Sequence, residues 1–430
     1  MLIRFEAANF RSILAPVELS MVAIDTDRVE ARPAANINES LLVTAAVFGP
    51  NASGKSNVIA AMTWLRNAVR DSLRFWDDVV PVEPFAFADG PERASEFTLE
   101  AIIRGVRFEY VVEVDREAVR YEALFHYPEK KRRRVFEREA RNLTLQRGLG
   151  TLSGTRDLLT DRALVLSIAR RFNEPVVSDF ARFVLAIQTF GQGTDPRTGP
   201  VAYSGTSTRR WFEEPTVANQ PALPGLGDPY EEFRADRDQA LALLRMADLG
   251  IDDVLIDEHE SNHPGLEVRG GRTRKQRRIR LVHSTTHEKV PFDFSAESEG
   301  TRTWFQLIGP ILSALKAGSL LLFDELDSSL HPTLSAQVIR LFCDPATNPS
   351  GAQLVFTTHD TSLLNHLNRD EVWLTEKSGD GSTRLGALAE FAGERVRRSQ
   401  NLEKAYLHGR FGALPDVDRT DVLRALGLIG

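Results

Sequence analysis

The pattern Gly49-Pro50-Asn51-Ala52-Ser53-Gly54-Lys55-Ser56 constrains this chain more than any other part of it. Apolar, β-prone residues, Leu42 to Phe48, precede it, and Asn57 to Val69 follow with apolar side chains at helical spacing. Strand, Gly-rich loop and helix in that order turn a string match into a phosphate cradle. Gly49 and Gly54 permit the tight backbone path, and the loop amides point inward at an anion. A helix beginning near Lys55 adds the positive end of its dipole. In such a loop Lys55 reaches the β- and γ-phosphates and the Ser56 hydroxyl ligates Mg²⁺, with Asn57 opening the helix beside them.

At 430 residues the chain exceeds one ordinary core, so two or three domains or one large elaborated domain are expected. A net charge of −7 argues against a uniformly basic nucleic-acid binder but leaves room for local basic patches. The single cysteine, Cys343, excludes an intramolecular disulfide and fits a reducing cytoplasm. No secretory apolar core is expected in residues 1–20. The stretch Trp304 to Phe323, broken by Gln306, Gly309-Pro310, Lys316 and Gly318, reads as a buried helix followed by a buried strand rather than a membrane span.

Met1 to Ala8 is strand-like and ends at Asn9-Phe10-Arg11-Ser12. Four strands, over 96–103, 106–114, 119–127 and 133–138, predict an antiparallel β-layer with the basic run Lys130 to Arg134 at one turn. Residues 154–188 read as mainly helical, 191–230 as a long irregular insertion, and 235–246 as an amphipathic helix. Arg269 to Arg280 holds seven basic residues. From Val290 the pattern returns to α/β. A strand over 290–294 comes first, then a helix over 300–315 and the strand Ser319 to Phe323. A helix over 334–342 and the strand Gln353 to Thr357 follow. The expected segments are therefore 1–90, 91–150, 151–285 and 286–430, with the nucleotide-binding parts at the two ends.

Three further stretches carry chemistry. Leu320 to Phe323 delivers Asp324 and Glu325 at the C-terminal end of an apolar strand, where ligands sit in open α/β sheets. Asp324 is placed to hold Mg²⁺, and Glu325 to orient or deprotonate the water that attacks the γ-phosphate. Ser298-Glu299-Gly300-Thr301 puts a hydroxyl and a glycine at a helix start. That is either an ordinary N-cap or a second anion site serving another subunit. His359, in Thr357-Thr358-His359-Asp360, is placed to hydrogen-bond the γ-phosphate or the attacking water.

Taken together these stretches resemble the ABC-type ATPase heads of the SMC, RecF and OLD lineage. Gly49 to Ser56 corresponds to the Walker A loop, Asp324-Glu325 to the Walker B pair, Glu297 to Thr301 to a divergent signature, and His359 to the switch histidine. Asn9 to Ser12, Asp324 to Pro332 and the tail Tyr406 to Ala413 bring the chain nearest the stand-alone abortive-infection and restriction-linked ATPases (the RloA/AbiL-like group). The resemblance implies an α/β P-loop head with an antiparallel β lobe and a mostly helical insertion. It also implies ATP and Mg²⁺ as cofactors and hydrolysis at composite sites in a head-to-tail homodimer. A separately encoded effector, commonly a TOPRIM-type nuclease, is implied as partner in antiphage defence. Ser298 and Gly300 would then act on the partner's ATP, Ser328 to His331 would form the D-loop, and Arg11 would lie near the phosphates or base. Glu299 and His331 depart from the common pattern, and Gln188 and Gln192 are both candidates for the Mg²⁺-sensing glutamine. A DNA-repair or chromosome-processing ATPase that itself grips DNA through the two basic runs is the alternative, and DNA or RNA is then a partner. A self-contained nuclease ranks last.

Overall fold

The structure is a computed structural model that describes residues 1–34, 37–191, 208–213, 229–247, 250–260, 275–328, 330–392 and 402–408. The N-terminal part runs through β1 (Leu2–Ala8), β2 (Val17–Ser20), the small pair β3 (Ala31–Pro33) and β4 (Ser40–Leu42), β5 (Thr44–Phe48) and the long helix α1 (Lys55–Phe75). Next come β6 (Ser95–Ile103), β7 (Val106–Val114), β8 (Val119–His126), β9 (Arg133–Glu139) and β10 (Asn142–Leu145). Helices α2 (Val165–Ala169) and α3 (Pro175–Leu185) lead to β11 (Gln188–Phe190), and α4 (Pro229–Ala247) leads to β12 (Ile251–Glu260), β13 (Lys275–Ser284) and β14 (Lys289–Asp293). The C-terminal part holds α5 (Glu299–Ala317), β15 (Leu320–Phe323), α6 (Pro332–Cys343), β16 (Gln353–Thr357), β17 (Val372–Lys377) and β18 (Thr383–Ala387). Two short helices, α7 (Leu388–Ala392) and α8 (Leu402–Leu407), complete it.

Strands from both ends of the chain form one six-stranded sheet, ordered β11-β15-β16-β5-β17-β18 and parallel up to β17. Its central strands are buried at every position because helices cover both faces. The period of two sorts them. Ala45, Val47, Leu320 and Leu322 enter the core beneath α1, while Ala46, Phe48, Leu321 and Phe323 enter the core beneath α5 and α6.

The second sheet has seven strands in the order β10-β9-β8-β7-β6-β1-β2, all antiparallel. Strand β7 alternates cleanly, and Phe108, Tyr110, Val112 and Val114 join the α1 core. So α1 lies between the two sheets, and the α/β class with an antiparallel lobe is what the chain adopts. Strand β1, from the start of the chain, pairs with β6 in the lobe. Gln353 joins the sheets from the side: its amide donates to Leu2 O (3.0 Å) and Leu42 O (2.9 Å).

The insertion expected over 151–285 is mostly helical among its described residues, and it carries strands as well. α2, α3 and α4 are helical, but β12, β13 and β14 form a three-stranded antiparallel sheet. The strand expected near Val290 belongs to that sheet and not to the parallel one. Apolar burial of Ile251, Val254 and Leu281 and cross-strand charge, with Arg280 donating to Asp257 (2.7 Å), both favour this sheet. Acidic β12 registers with basic β13, Asp257 opposite Arg278, and a stretch that reads as a solvated basic run is one side of a ladder. The end of the basic stretch before Lys275, Gln192 and most of 191–230 lie outside the described residues.

Helix α5 contains Pro310, which cannot donate to Gln306 O. The Thr208 hydroxyl takes that place, donating to Gln306 O (3.1 Å) while accepting from Gly309 N–H (2.9 Å). Among the described residues no helix is long and apolar enough to cross a membrane.

Candidate functional site

The phosphate loop leaves β5 at Phe48 and enters α1 at Lys55. Gly54 has φ +102°, and a Cβ there would stand 2.0 Å from Thr383 Oγ1. Only glycine satisfies both the backbone angle and the space. The loop is pinned by three distant hydroxyls. Thr383 Oγ1 donates to Ser53 O (2.8 Å). Thr375 Oγ1 lies 2.6 Å from Ser53 Oγ. Ser12 Oγ accepts from the Asn57 amide (2.6 Å) and contacts Thr383 Oγ1 (2.7 Å). Gly54→Ala should therefore displace β18 from the loop and cost about 1–3 kcal/mol of stability, read as a lowered unfolding midpoint.

Lys55 Nζ donates to Gly49 O and Pro50 O, both at 2.9 Å, so the ammonium lies over its own loop. Burial pushes the Lys55 pKa down, and the carboxylates of Glu325, Asp324 and Asp327 oppose that shift.

Those carboxylates arrive from β15. Asp324 is buried, and its Oδ1 accepts from the Thr357 hydroxyl at 2.7 Å. The same hydroxyl accepts from Glu325 N–H (2.7 Å), so one side chain at the end of β16 orients both acids. Glu325 sits at φ +58°, a left-handed conformation that costs a non-glycine residue free energy and turns its carboxylate away from the strand direction. Two residues on, Asp327 accepts from His359 N–H with both oxygens at 3.2 Å. The walls after β15 and β16 are thereby joined.

These parts converge on one cleft of about 1260 Å³. Gly49, Pro50, Asn51, Ala52, Gly54, Lys55, Ser56 and Asn57 line it from the loop, and Glu325 and His359 line it from the two strand ends. Ser53 lies beneath the loop with its hydroxyl turned to Thr375, and Asp324 stands behind Glu325. The donor set suits a magnesium-bound polyphosphate: an ammonium, a helix start, the Ser56 hydroxyl and a carboxylate, the last two being hard oxygen ligands. Among the described residues no group of three or more His, Cys, Asp or Glu is gathered to hold a metal without such a ligand.

Four other candidates, Arg11, Ser298, Gly300 and Gln188, do not line this cleft. Arg11 is turned to Glu83 (3.0 Å) and packs over the Phe10 ring, so its expected place beside the phosphates or base is corrected. Ser298 and Gly300 lie at the start of α5, where Ser298 Oγ accepts from Thr301 N–H (3.1 Å) as an N-cap. The preceding Glu297 meets His283 at the end of β13 (2.9 Å). Gln188 opens β11, and its amide donates to Ala186 O (3.2 Å).

Other cleft residues escaped the sequence reading: Ser12, Asp327, Thr361, Tyr406 and Leu407. Ser12, Asp327, Tyr406 and Leu407 lie inside stretches that stood out as motifs, which was the only available signal.

The two basic runs carry less free charge than their sequence suggests. Arg132 pairs with Glu109 (3.1 Å), Arg133 with Glu129 (3.6 Å) and Arg134 with Glu137 (2.7 Å). Arg278 pairs with Asp293 (2.6 Å) and Arg280 with Asp257 (2.7 Å).

No curated protein matches the sequence. Among solved structures, an SMC head bound to the C-winged helix domain of ScpA shares 13% identity over 90% of this chain and 98% of that one, with a TM-score of 0.44. The SMC head domain from Thermotoga maritima shares 14% identity over 90% and 98%, with a TM-score of 0.38. The SMC head with an extended coiled coil from Pyrococcus furiosus, bound to the C-terminal domain of ScpA, shares 12% over 95% and 98%, with a TM-score of 0.41. A protein family described as "AAA domain, putative AbiEii toxin, Type IV TA system" matches residues 45–180 and 191–365, spanning both the phosphate loop and the paired acids. The chain belongs to that AAA-domain family of P-loop ATPases.

Proposed function

We propose that this chain hydrolyses ATP at a site completed by a second copy, and that the nucleotide cycle switches a separately encoded effector, a TOPRIM-type nuclease, in antiphage defence. The observation that carries the first part is the shared cleft of Lys55, Glu325 and His359, drawn from three distant stretches. In this reading Lys55 and the loop amides from Gly49 to Ser56 bind and orient the phosphates. Ser56 and Asp324 would hold Mg²⁺, which would supply positive charge to offset the negative charge of the phosphates. Glu325 accepts a proton from the attacking water as the water oxygen bonds to the γ-phosphorus and the bond to the bridging oxygen breaks, releasing ADP and phosphate. His359 positions the water or the γ-phosphate.

Ser298 and Gly300 stand away from their own chain's cleft, which supports service to a second copy's ATP at the head of α5. The defence role draws support from the family's description, which names a toxin system. The segment division at residues 90, 150 and 285 remains part of the proposal as a description of sequence order.

Titration calorimetry with Mg-ATP tests the core of it. Wild type should bind, and Lys55→Ala should weaken binding by roughly a hundredfold, since a charge-assisted phosphate contact in a partly desolvated loop is lost. Equal affinity in the two proteins would remove the loop from the mechanism. For the defence role, phage plating on cells carrying the gene with its neighbours should drop with wild type and recover with Lys55→Ala.

A further inference from the structure

The tail segment Tyr406-Leu407-His408 stands out in the sequence, yet the hydrolytic scheme above assigns it nothing. In the structure α8 forms one side of the cleft, where Tyr406 and Leu407 face the same space as Lys55, Glu325 and His359. The helix is anchored by its other residues. Leu402, Ala405 and Tyr406 are buried in the core that also holds Phe48, Leu363 and Leu364. The Tyr406 ring lies 6.2 Å from that of Phe48, the last residue before the phosphate loop. The Asn365 amide donates to Glu403 Oε2 (2.8 Å), which ties α8 to the 361–366 turn directly after His359. Leu407 is left 55% exposed at the cleft wall, so burial within α8 does not account for its position.

We infer that α8 belongs to the nucleotide site, with Leu407 as a wall on its His359 side, and that this wall makes the site discriminate a nucleoside triphosphate from a diphosphate. The inference rests on the ATP reading above. An aliphatic side chain beside the terminal phosphate excludes water there and lowers the local dielectric, which strengthens the hold of Lys55 on that phosphate. A diphosphate lacks the group that would meet this wall. Because Tyr406 touches the end of β5 and Glu403 the turn after His359, the same helix carries the nucleotide state into the C-terminal segment.

Opposite charges at one exposed position give a test that a structural role would not pass. Calorimetric titration with Mg-ATP and Mg-ADP is carried out on wild type, Leu407→Asp and Leu407→Lys. Leu407→Asp should weaken ATP about tenfold and ADP clearly less, while Leu407→Lys should tighten ATP, as Coulomb interaction with a nearby phosphate requires. Thermal melts should match wild type, since position 407 is exposed. Wild type that binds ATP alongside two variants of unchanged affinity overturns this inference alone. Equal shifts for ATP and ADP also overturn it, and wild type that binds neither nucleotide overturns the ATP reading along with it.

Discussion

Glu325→Gln will lower ATP turnover by about two to four orders of magnitude while leaving ATP binding intact. The substitution keeps the shape and removes the proton acceptor from the cleft wall. The backbone at position 325 is held by Thr357 and not by the carboxylate, so the left-handed turn should survive. The variant also removes one negative charge near Lys55, which should help a polyphosphate to bind. Binding without hydrolysis means that any association coupled to ATP accumulates, because occupancy and dimerisation are linked free energies. Phosphate release in a single turnover measures the first effect. Light-scattering mass with and without ATP measures the second, with a dimer appearing only when ATP is present. Turnover equal to wild type would take Glu325 out of the chemistry, and a monomer at saturating ATP would take the second copy out of the site.

A second large effect is expected far from the cleft. Glu122 on β8 is fully buried and accepts from Tyr110 OH (2.8 Å) and from the amides of Val165 (2.5 Å) and Leu166 (2.9 Å) at the start of α2. It registers opposite Arg138 on β9, whose buried guanidinium donates to the carbonyls of Ala163 (2.6 Å) and Thr160 (2.7 Å). Burial pushes the Glu122 carboxyl up, and Arg138 with the three donors opposes that. Glu122→Ala removes the carboxylate opposite the buried Arg138 cation and leaves two orphaned amides and an orphaned hydroxyl. The cost should be about 3–5 kcal/mol, and Tyr110→Phe should cost much less, roughly 1–2 kcal/mol. Urea unfolding followed by the signal of the β lobe reads both. A Glu122→Ala midpoint equal to wild type would show that the network contributes nothing to stability. The network also joins β8, β9 and α2, so its loss should loosen the lobe before the parallel sheet.

The phosphate loop and the acid pair could be read from the chain because each is local: a strand, a turn of special residues and a helix, all within about a dozen neighbours. The antiparallel strands 95–103, 106–114, 119–126 and 133–139 were equally plain, since a sheet buried on one face prints its period of two on the chain. Strands β12 and β13 were hidden for the opposite reason. Their signal is the complementarity of an acidic and a basic strand, and neither half announces itself alone. Arg11 was misplaced because nothing near it in sequence shows that Glu83 is the carboxylate it meets.

Residue type and spacing thus settled which groups are available for phosphate chemistry, because those requirements are met within single turns and strand ends. Their arrangement was a matter of long-range contact. Thr375 and Thr383 hold a loop more than three hundred residues upstream, Thr357 aims two acids from another strand, and α8 closes the cleft from the far end of the chain. Such partners are chosen by packing in three dimensions, where hydroxyls that look ordinary along the chain come within hydrogen-bond reach of the loop and the acids.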